Sequence, residues 1–352
     1  MANPRPGPTL TMIATALNVS AATVSNALAG KGRISAELID RIRAKADELG
    51  YVPSSAARAL RTGHTRVLGL VLPDISNPLF PQIAQAIEYA ASASGYGVLI
   101  ADSRGSVAMQ TEAINRLIER DVDGIVIIPR LGTRIVDIGR PLAVIDSPST
   151  PNSTVSADHW QGGQLVMEHL AALGHQNFVL IGNNPASNVQ NDRIGGMKSR
   201  VPAGGKAEIL WIEQHEQAHG KASPLRLAEK VERGATAFAA VSDLHALRAL
   251  TELQNAGIAV PGRASVAGFD DLAWSAMITP ALTSVRMDVA TIARIAIDAL
   301  LCAIEADTAA DATRGVVSAE TTSVPMTLVA RQTTGVLTAP THPEKTPAGE
   351  PA

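Results

Sequence analysis

The sequence predicts an α-helical head followed by a two-lobed α/β body, and three observations carry that prediction. At 352 residues the chain exceeds one ordinary hydrophobic core and calls for two or three packed units. Residues 9–50 hold three short apolar stripes at helical spacing. From Val67 onward, apolar runs alternate with helical stretches, which is the pattern of parallel sheets with crossover helices.

Composition narrows the class further. With 46% hydrophobic and 18% charged residues, the chain is neither a disordered tail nor a fibre. Its longest apolar runs, such as Gly124 to Pro129 and Val67 to Leu72, are too short to span a bilayer, and the N-terminus is Pro-rich where a signal peptide would be apolar. The expected location is the cytoplasm, with no membrane partner. The single cysteine, Cys302, excludes an internal disulfide and a multi-cysteine zinc cluster, and its neighbours Leu300, Leu301 and Ile304 predict a helix core. No cofactor is expected.

The formal net charge of −3 is unevenly spread. Residues 1–66 carry nine basic and four acidic side chains, so the head is net positive by five and the remainder net negative by eight. A basic head points to an anionic polymer, because neutralising phosphates releases counterions. A well-solvated helical domain would carry the same charge.

In the head, Thr9 is a good N-cap, and Leu10, Ile13, Ala14 and Leu17 mark one face of a first helix. After a break at Asn18 and Val19, Ser20 caps a second helix with Val24 and Leu28 inward. Gly30 and Gly32 end it. Ser35 caps a third helix, with Leu38, Ile42, Ala46 and Leu49 inward and Gly50 as its stop. A short helix, a tight turn and a second helix with an exposed N-terminus form a helix-turn-helix, although a plain three-helix bundle shares the periodicity. In such a unit Ser20 and Thr23 add hydroxyls near phosphate, Ala21, Ala22, Ser25 and Asn26 face base edges, and Asn26 has the geometry to pair with adenine.

The next residues, Tyr51-Val52-Pro53-Ser54-Ser55-Ala56-Ala57-Arg58-Ala59-Leu60-Arg61, bring out a family resemblance. With Thr9-Leu10, Ile13-Ala14 and Val19-Ser20-Ala21-Ala22-Thr23-Val24-Ser25, the chain resembles the lactose-repressor/galactose-repressor (LacI/GalR) family of transcription regulators. The resemblance implies a DNA-binding set of Thr9, Ser20, Ala21, Ala22, Thr23, Ser25, Asn26, Ser35, Tyr51, Arg58, Leu60 and Arg61. It also implies a hinge helix that forms on DNA and drives Leu60 into the minor groove, kinking the duplex, with Arg61 near phosphate. Two positions depart from the family pattern. Met12 replaces the acidic residue that would complete a capping box with Thr9, and Asn26 replaces an arginine, which changes the expected operator preference.

In the body, the apolar runs are Val67 to Leu72, Val98 to Ala101, Ile125 to Ile128, Ala143 to Ile145, Phe178 to Ile181, Ile209 to Ile212, Phe238 to Val241 and Val266 to Phe269. Crossover helices are marked by Ile83, Ala86, Ile87 and Ala90, by Ile114, Leu117 and Ile118, and by the stretch Asp158 to Gly174. The expected division is a leader over 1–8, the helix-turn-helix over 9–52, the hinge over 53–65, the body over 66–335 and a disordered Pro-rich tail over 336–352. Within the body, a first lobe spans 66–158 and 286–320, and a second spans 159–285 and 321–335. The chain recrosses near Leu282 to Arg286, so the crossings act as a hinge.

The blocks Leu72-Pro73-Asp74-Ile75-Ser76-Asn77-Pro78-Leu79-Phe80, Asp123-Gly124-Ile125, Gly174-His175, Val260-Pro261, Gly268-Phe269-Asp270-Asp271 and Arg331-Gln332-Thr333-Thr334 extend the resemblance from Thr9 to Thr334, and through it to periplasmic sugar-binding proteins. Ligands of parallel sheets lie beyond the carboxyl ends of strands. The effector candidates are therefore Asp74, Phe80, Asp102, Arg130, Asp146, Arg193, Trp211, Asp243 and Asp270. Carboxylates and a guanidinium suit a polyhydroxylated ligand, and an aromatic ring covers a sugar face. The resemblance aligns Asp146, Arg193 and Asp270 with effector contacts, and Phe80 and Trp211 with ring packing. Each has a structural alternative: Asp74, Asp102, Asp243 or Asp270 as a helix cap, Arg193 in an internal pair, Phe80 in the core.

His215-Glu216-Gln217-Ala218-His219 matches the H-E-x-x-H zinc pattern. Gly220 and Pro224 interrupt the helix that chemistry needs, and Leu225 stands where one zincin class has its third histidine, so a solvated loop or helix start is expected. The competing functions are a hydrolase or transferase on the same scaffold and a plain sugar-binding module. The favoured reading is a repressor, a homodimer on a palindromic DNA operator, controlled by a sugar or related small-molecule effector. The tail lacks a heptad pattern and predicts no tetramerising coiled coil.

Overall fold

The computed structural model describes residues 8–28, 30–51, 59, 62–130, 138–146, 150, 152–309 and 321–336. Arg58, Leu60 and Arg61 of the expected hinge lie outside them, as do most of the leader and the tail. Contacts divide the chain into two compact units, Met1–Thr65 and Arg66–Ala352.

The first unit contains α1 (Leu10–Leu17), α2 (Ala21–Leu28) and α3 (Ala36–Glu48). Each starts where a hydroxyl accepts an otherwise orphan amide: Thr9 from Met12 at 3.4 Å, Ser20 from Thr23 at 3.0 Å and Ser35 from Leu38 at 3.4 Å. Thr9 caps without acidic help, since α1 has no acidic residue in its first turn and Met12 is half exposed. Asn18, left-handed at φ 53°, turns the chain out of α1 at little cost for an asparagine. Ile13, Ala14, Val24, Ala27, Ile42 and Ala46 form one buried core, with Tyr51 packed against it.

The second unit opens with β1 (Val67–Leu72), α4 (Leu79–Ala93), β2 (Gly97–Asp102), α5 (Val107–Glu119), β3 (Gly124–Ile127) and β4 (Leu142–Val144). The strands form a parallel sheet in the order β2-β1-β3-β4. A bridge from Ile145 to Val155 leads on to β5 (Val155–Ala157), which pairs with β11 (Thr322–Val324).

The second lobe follows as α6 (His159–Ala172), β6 (Asn177–Gly182), α7 (Asn188–Ser199), β7 (Lys206–Trp211), α8 (Ile212–His219), α9 (Leu227–Glu232), β8 (Ala237–Ala240), α10 (Asp243–Asn255), β9 (Ser265–Phe269) and β10 (Thr283–Arg286). Its sheet runs β12-β10-β9-β8-β6-β7, with β12 (Thr327–Val329) antiparallel to β10 and every other pair parallel. After β10 the chain returns to the first lobe as α11 (Val289–Ala309), which packs on α4, β3 and β4. The lobes are thus joined at Asp158, at Met287 and Asp288, and between β11 and β12.

The eight apolar runs mark β1 to β4 and β6 to β9, although Ile128, Ile145 and Val241 lie one residue past their strands and Ile212 opens α8 instead of closing β7. Cys302 corrects the expected core placement: it lies on α11 but is exposed. The buried stripe of α11 runs through Ile292, Ala296, Leu300 and Ile304, and a residue two positions past Leu300 turns about 200° away from it. Helices α6 and α7 meet backbone to backbone. A Cβ on Gly163 would sit 2.2 Å from the carbonyl oxygen of Arg193, and one on Gly196 would sit 2.0 Å from that of Trp160. Among the described residues, no helix is long and apolar enough to cross a membrane.

Candidate nucleic-acid interface and ligand cavity

In the first unit, Val24 and Ala27 of α2 face the core while Ala21, Ala22 and Asn26 are exposed and Thr23 and Ser25 half-exposed. At its N-terminus the Ser20 and Thr23 hydroxyls meet at 2.8 Å, so both flank the free amides that attract anions. Lys31, Arg33, Arg41 and Arg43 are exposed and form no ion pair among the described residues, which leaves them available to phosphate. Thr9 and Ser35 are exposed caps, whereas Tyr51 is half-buried on the head core.

In the second unit, the carboxyl ends of the strands and the crossings enclose a cavity of about 930 Å³. Its wall brings together Asp74 and Phe80 after β1, Arg130 after β3, Asp146 after β4, Arg193 on α7 and Asp270 after β9. The floor is Arg193 with Asp270, both almost wholly buried and 2.9 Å apart. The Arg193 guanidinium also donates to the Val241 carbonyl and to His159 Nδ1, and lies 4.4 Å from the Phe269 ring centroid. Burial raises the Asp270 carboxyl above its ordinary pKa, and the Arg193 charge opposes that shift. Asp270 has φ +98°, a strained conformation for a side-chain-bearing residue, and Asp271 follows at +48°.

Three candidates stand elsewhere. Asp102 Oδ1 accepts from the amides of Ile75 and Arg104, tying two strand-end loops together. The Trp211 indole covers Gly182, where a Cβ would lie 2.2 Å from the ring, and does not line the cavity. Asp243 is fully buried behind the wall and accepts from the Leu272 amide and the hydroxyls of Ser275 and Ser284. Burial pushes its pKa up to about 7, against the pull of those two hydroxyls. Ser242, not Asp243, caps α10.

Several wall residues escaped the sequence reading. His159 and His245 line the cavity, and burial followed by nearby guanidinium charge lowers both, His245 to about 4. The loop after β6 adds Asn183 and Asn184, the first residue of α7 adds Asn188, and α8 adds Glu213. The strand-end rule applied to Gly182-Asn183-Asn184 would have found two of them. A polar chain crosses between lobes: Asn188 Nδ2 donates to Thr150 Oγ1 at 3.0 Å, which donates to Asp146 at 2.7 Å.

The His215 and His219 segment is a helix, correcting the expected loop or helix start. Its imidazoles stack with centroids 4.4 Å apart, and they donate to the carbonyls of Pro224 and His215 respectively. Glu216 pairs with Arg248 at 2.8 Å. Nothing there converges on a metal position. The terminal Arg331 to Thr334 block is a staple: Arg331 binds Asp271 and the Leu282 carbonyl, and Thr333 accepts from the Thr283 amide.

Comparison with known proteins gives two family matches. Residues 9–54 match the model described as bacterial regulatory proteins, lacI family, and residues 167–334 match a periplasmic binding protein-like domain. The HTH-type transcriptional regulator AscG of Escherichia coli (strain K12) is 33% identical over 300 residues, covering 80% of this chain and 87% of that protein. The structure of the lac repressor dimer bound to operator and the anti-inducer ONPF matches with a TM-score of 0.79 at 24% identity, over 94% of this chain and all of that one. A complex of the transcriptional regulator CelR with cellobiose matches at 0.63 and 22% identity, over 93% of this chain and 99% of that one.

Proposed function

This chain belongs to the LacI family of bacterial regulatory proteins, and from that premise we propose that it is a homodimeric repressor whose grip on a palindromic operator is set by a sugar in the interlobe cavity. Membership makes it a DNA-binding transcription regulator and not an enzyme. The observation that carries the sugar reading is the buried Arg193–Asp270 pair at the floor of a cavity lined by carboxylates, carboxamides and Phe80.

The exposed face of α2 supports base reading by Ser25 and Asn26, with Ser20 and Thr23 on phosphate. A two-fold dimer would set two such helices about 34 Å apart on one DNA face. Exposed Tyr89 on α4 and Ile100 on the edge strand β2 support pairing through the first lobe, and Met277 supports it in the second. The hinge that the resemblance implies, with Leu60 as its wedge, would link lobe closure to the heads.

Selection of binding sites from random duplex by the full-length protein tests the reading. Enrichment of an inverted repeat, lost in a Ser20→Ala/Thr23→Ala/Asn26→Ala variant that keeps its thermal stability, is the expected outcome. No enriched sequence, with or without candidate sugars, would overturn it.

A further inference from the structure

We propose that Asp243, which does not itself line the cavity, is a positioning residue for it: from behind the wall its carboxyl holds the turn that presents Asp270 to Arg193. Its bearing on ligand binding rests on the reading of the cavity as a sugar site.

The turn needs holding. Asp270 at φ +98° and Asp271 at +48° are consecutive side-chain-bearing residues in conformations that cost free energy unless their surroundings fix them. Three successive amides are tied down there. That of Asp270 donates to the Val285 carbonyl at 2.8 Å, that of Asp271 to Ser284 Oγ at 3.0 Å and that of Leu272 to Asp243 Oδ2 at 2.8 Å. Two of the three depend on Asp243. The Ser284 hydroxyl has one hydrogen, and giving it to Asp243 Oδ1 at 2.5 Å turns an oxygen lone pair toward the Asp271 amide. Ser275, in the 3-10 turn Ala273–Ala276, also donates to Asp243, at 2.6 Å, but its side chain bonds neither strained residue.

Sequence and packing place the carboxyl at this spot. Ser242 caps α10, which frees Asp243 from that role, and Gly268 in β9 lets the carboxyl come close, since a Cβ there would lie 2.3 Å from Oδ1. What the turn carries matters on both sides. Asp270 meets Arg193 at 2.9 Å on the cavity floor, and the Asp271 carboxylate accepts from Arg286 on β10 and from Arg331 beyond β12, each at 2.6 Å. The same turn thus braces the strand that runs into the crossing at Met287.

Protonation supplies a signature. Burial pushes the Asp243 carboxyl up to about 7, with the Ser275 and Ser284 hydroxyls opposing the rise and the Asp270 charge adding to it. Charged groups on the elements around it are paired or held neutral: Asp270 with Arg193, Asp271 with Arg286 and Arg331, Glu216 with Arg248, and His245 with a pKa of about 4. Ionised, Asp243 accepts charge-assisted bonds; protonated, it accepts weaker ones, and the turn loosens.

Nitrogen-15 NMR spectra of the full-length protein without ligand test this. Between about pH 5.5 and 8.5 the amide signals of Asp271 and Leu272 and the Arg193 Nε–H signal should move together with a midpoint near 7, and in Asp243→Asn that titration should vanish. Ser284→Ala should shift the Asp271 amide and the Arg193 Nε–H signal. Ser275→Ala removes a bond to the same carboxyl but none to the strained residues, and should leave Arg193 in place. An Arg193 signal that ignores pH in the parent, a titration that persists in Asp243→Asn, or equal effects of the two serine variants on Arg193 would each overturn the proposal. The parent titration decides even if a variant fails to fold. Because no ligand is present, these readings stand or fall apart from the sugar reading of the cavity.

Discussion

Arg193 and Asp270 meet at 2.9 Å on the cavity floor, the one delivered by a helix packed through glycines and the other by a turn held at φ +98°. Each would be untenable alone: an unpaired buried charge costs far more than the pair contributes. Arg193→Ala is therefore expected to lose about 3–5 kcal/mol of stability in urea denaturation. Arg193→Met combined with Asp270→Asn should lose clearly less. Equal losses would show that the pair is not coupled.

The close approach of α6 and α7 makes a second prediction. Gly163→Ala places a methyl against the Arg193 carbonyl oxygen, and backbone has little room to yield. Overpacking of this kind costs about 1–3 kcal/mol, so a fall in Tm with weaker ligand binding is expected. A variant of unchanged Tm would mean the helices separate without cost.

The pH dependence of stability carries two opposing signals. His245, at about 4 in the fold against an ordinary 6.5, makes the unfolded chain the better proton binder, so its contribution is lost as pH falls from about 6.5 to 4. Buried His159 and His175 act in the same direction. Asp243, raised to about 7, acts oppositely, and its contribution is lost as pH rises from about 3.8 to 7. Asp243→Asn removes only the opposing signal. Its stability should climb more steeply than the parent's between pH 5 and 7, and parallel curves would contradict the assignment.

On DNA, two kinds of substitution should separate. Asn26→Ala is expected to relax preference at one base pair of each half-site by about 1–3 kcal/mol and to leave the salt slope alone. Arg33→Ala or Arg41→Ala should weaken all sequences alike and flatten the salt slope, which anisotropy titrations at several salt concentrations measure. A change in base preference from either arginine would reassign it.

The strands and head helices were legible because burial imposes a period: β1 is apolar throughout, and the caps Thr9, Ser20 and Ser35 sit directly before their helices. Site residues were legible where a strand end alone decides position, as for Asp74, Arg130 and Asp146. Asp243 and Trp211 obey the same rule in sequence, yet their side chains turn to the hydroxyls of Ser275 and Ser284 and to the bare backbone of Gly182. Those partners are tertiary neighbours that no local pattern encodes. Cys302 was misjudged because apolar neighbours in sequence are not neighbours on a helix face.

Linkage between cavity and operator is the most direct test of the whole account. With full-length protein, the dissociation constant of a bound sugar should differ with and without saturating operator duplex, and the operator's constant should shift by the same factor when the sugar is saturating. Affinities that ignore one another, each measured with the other ligand bound, would mean that the head and the body work independently.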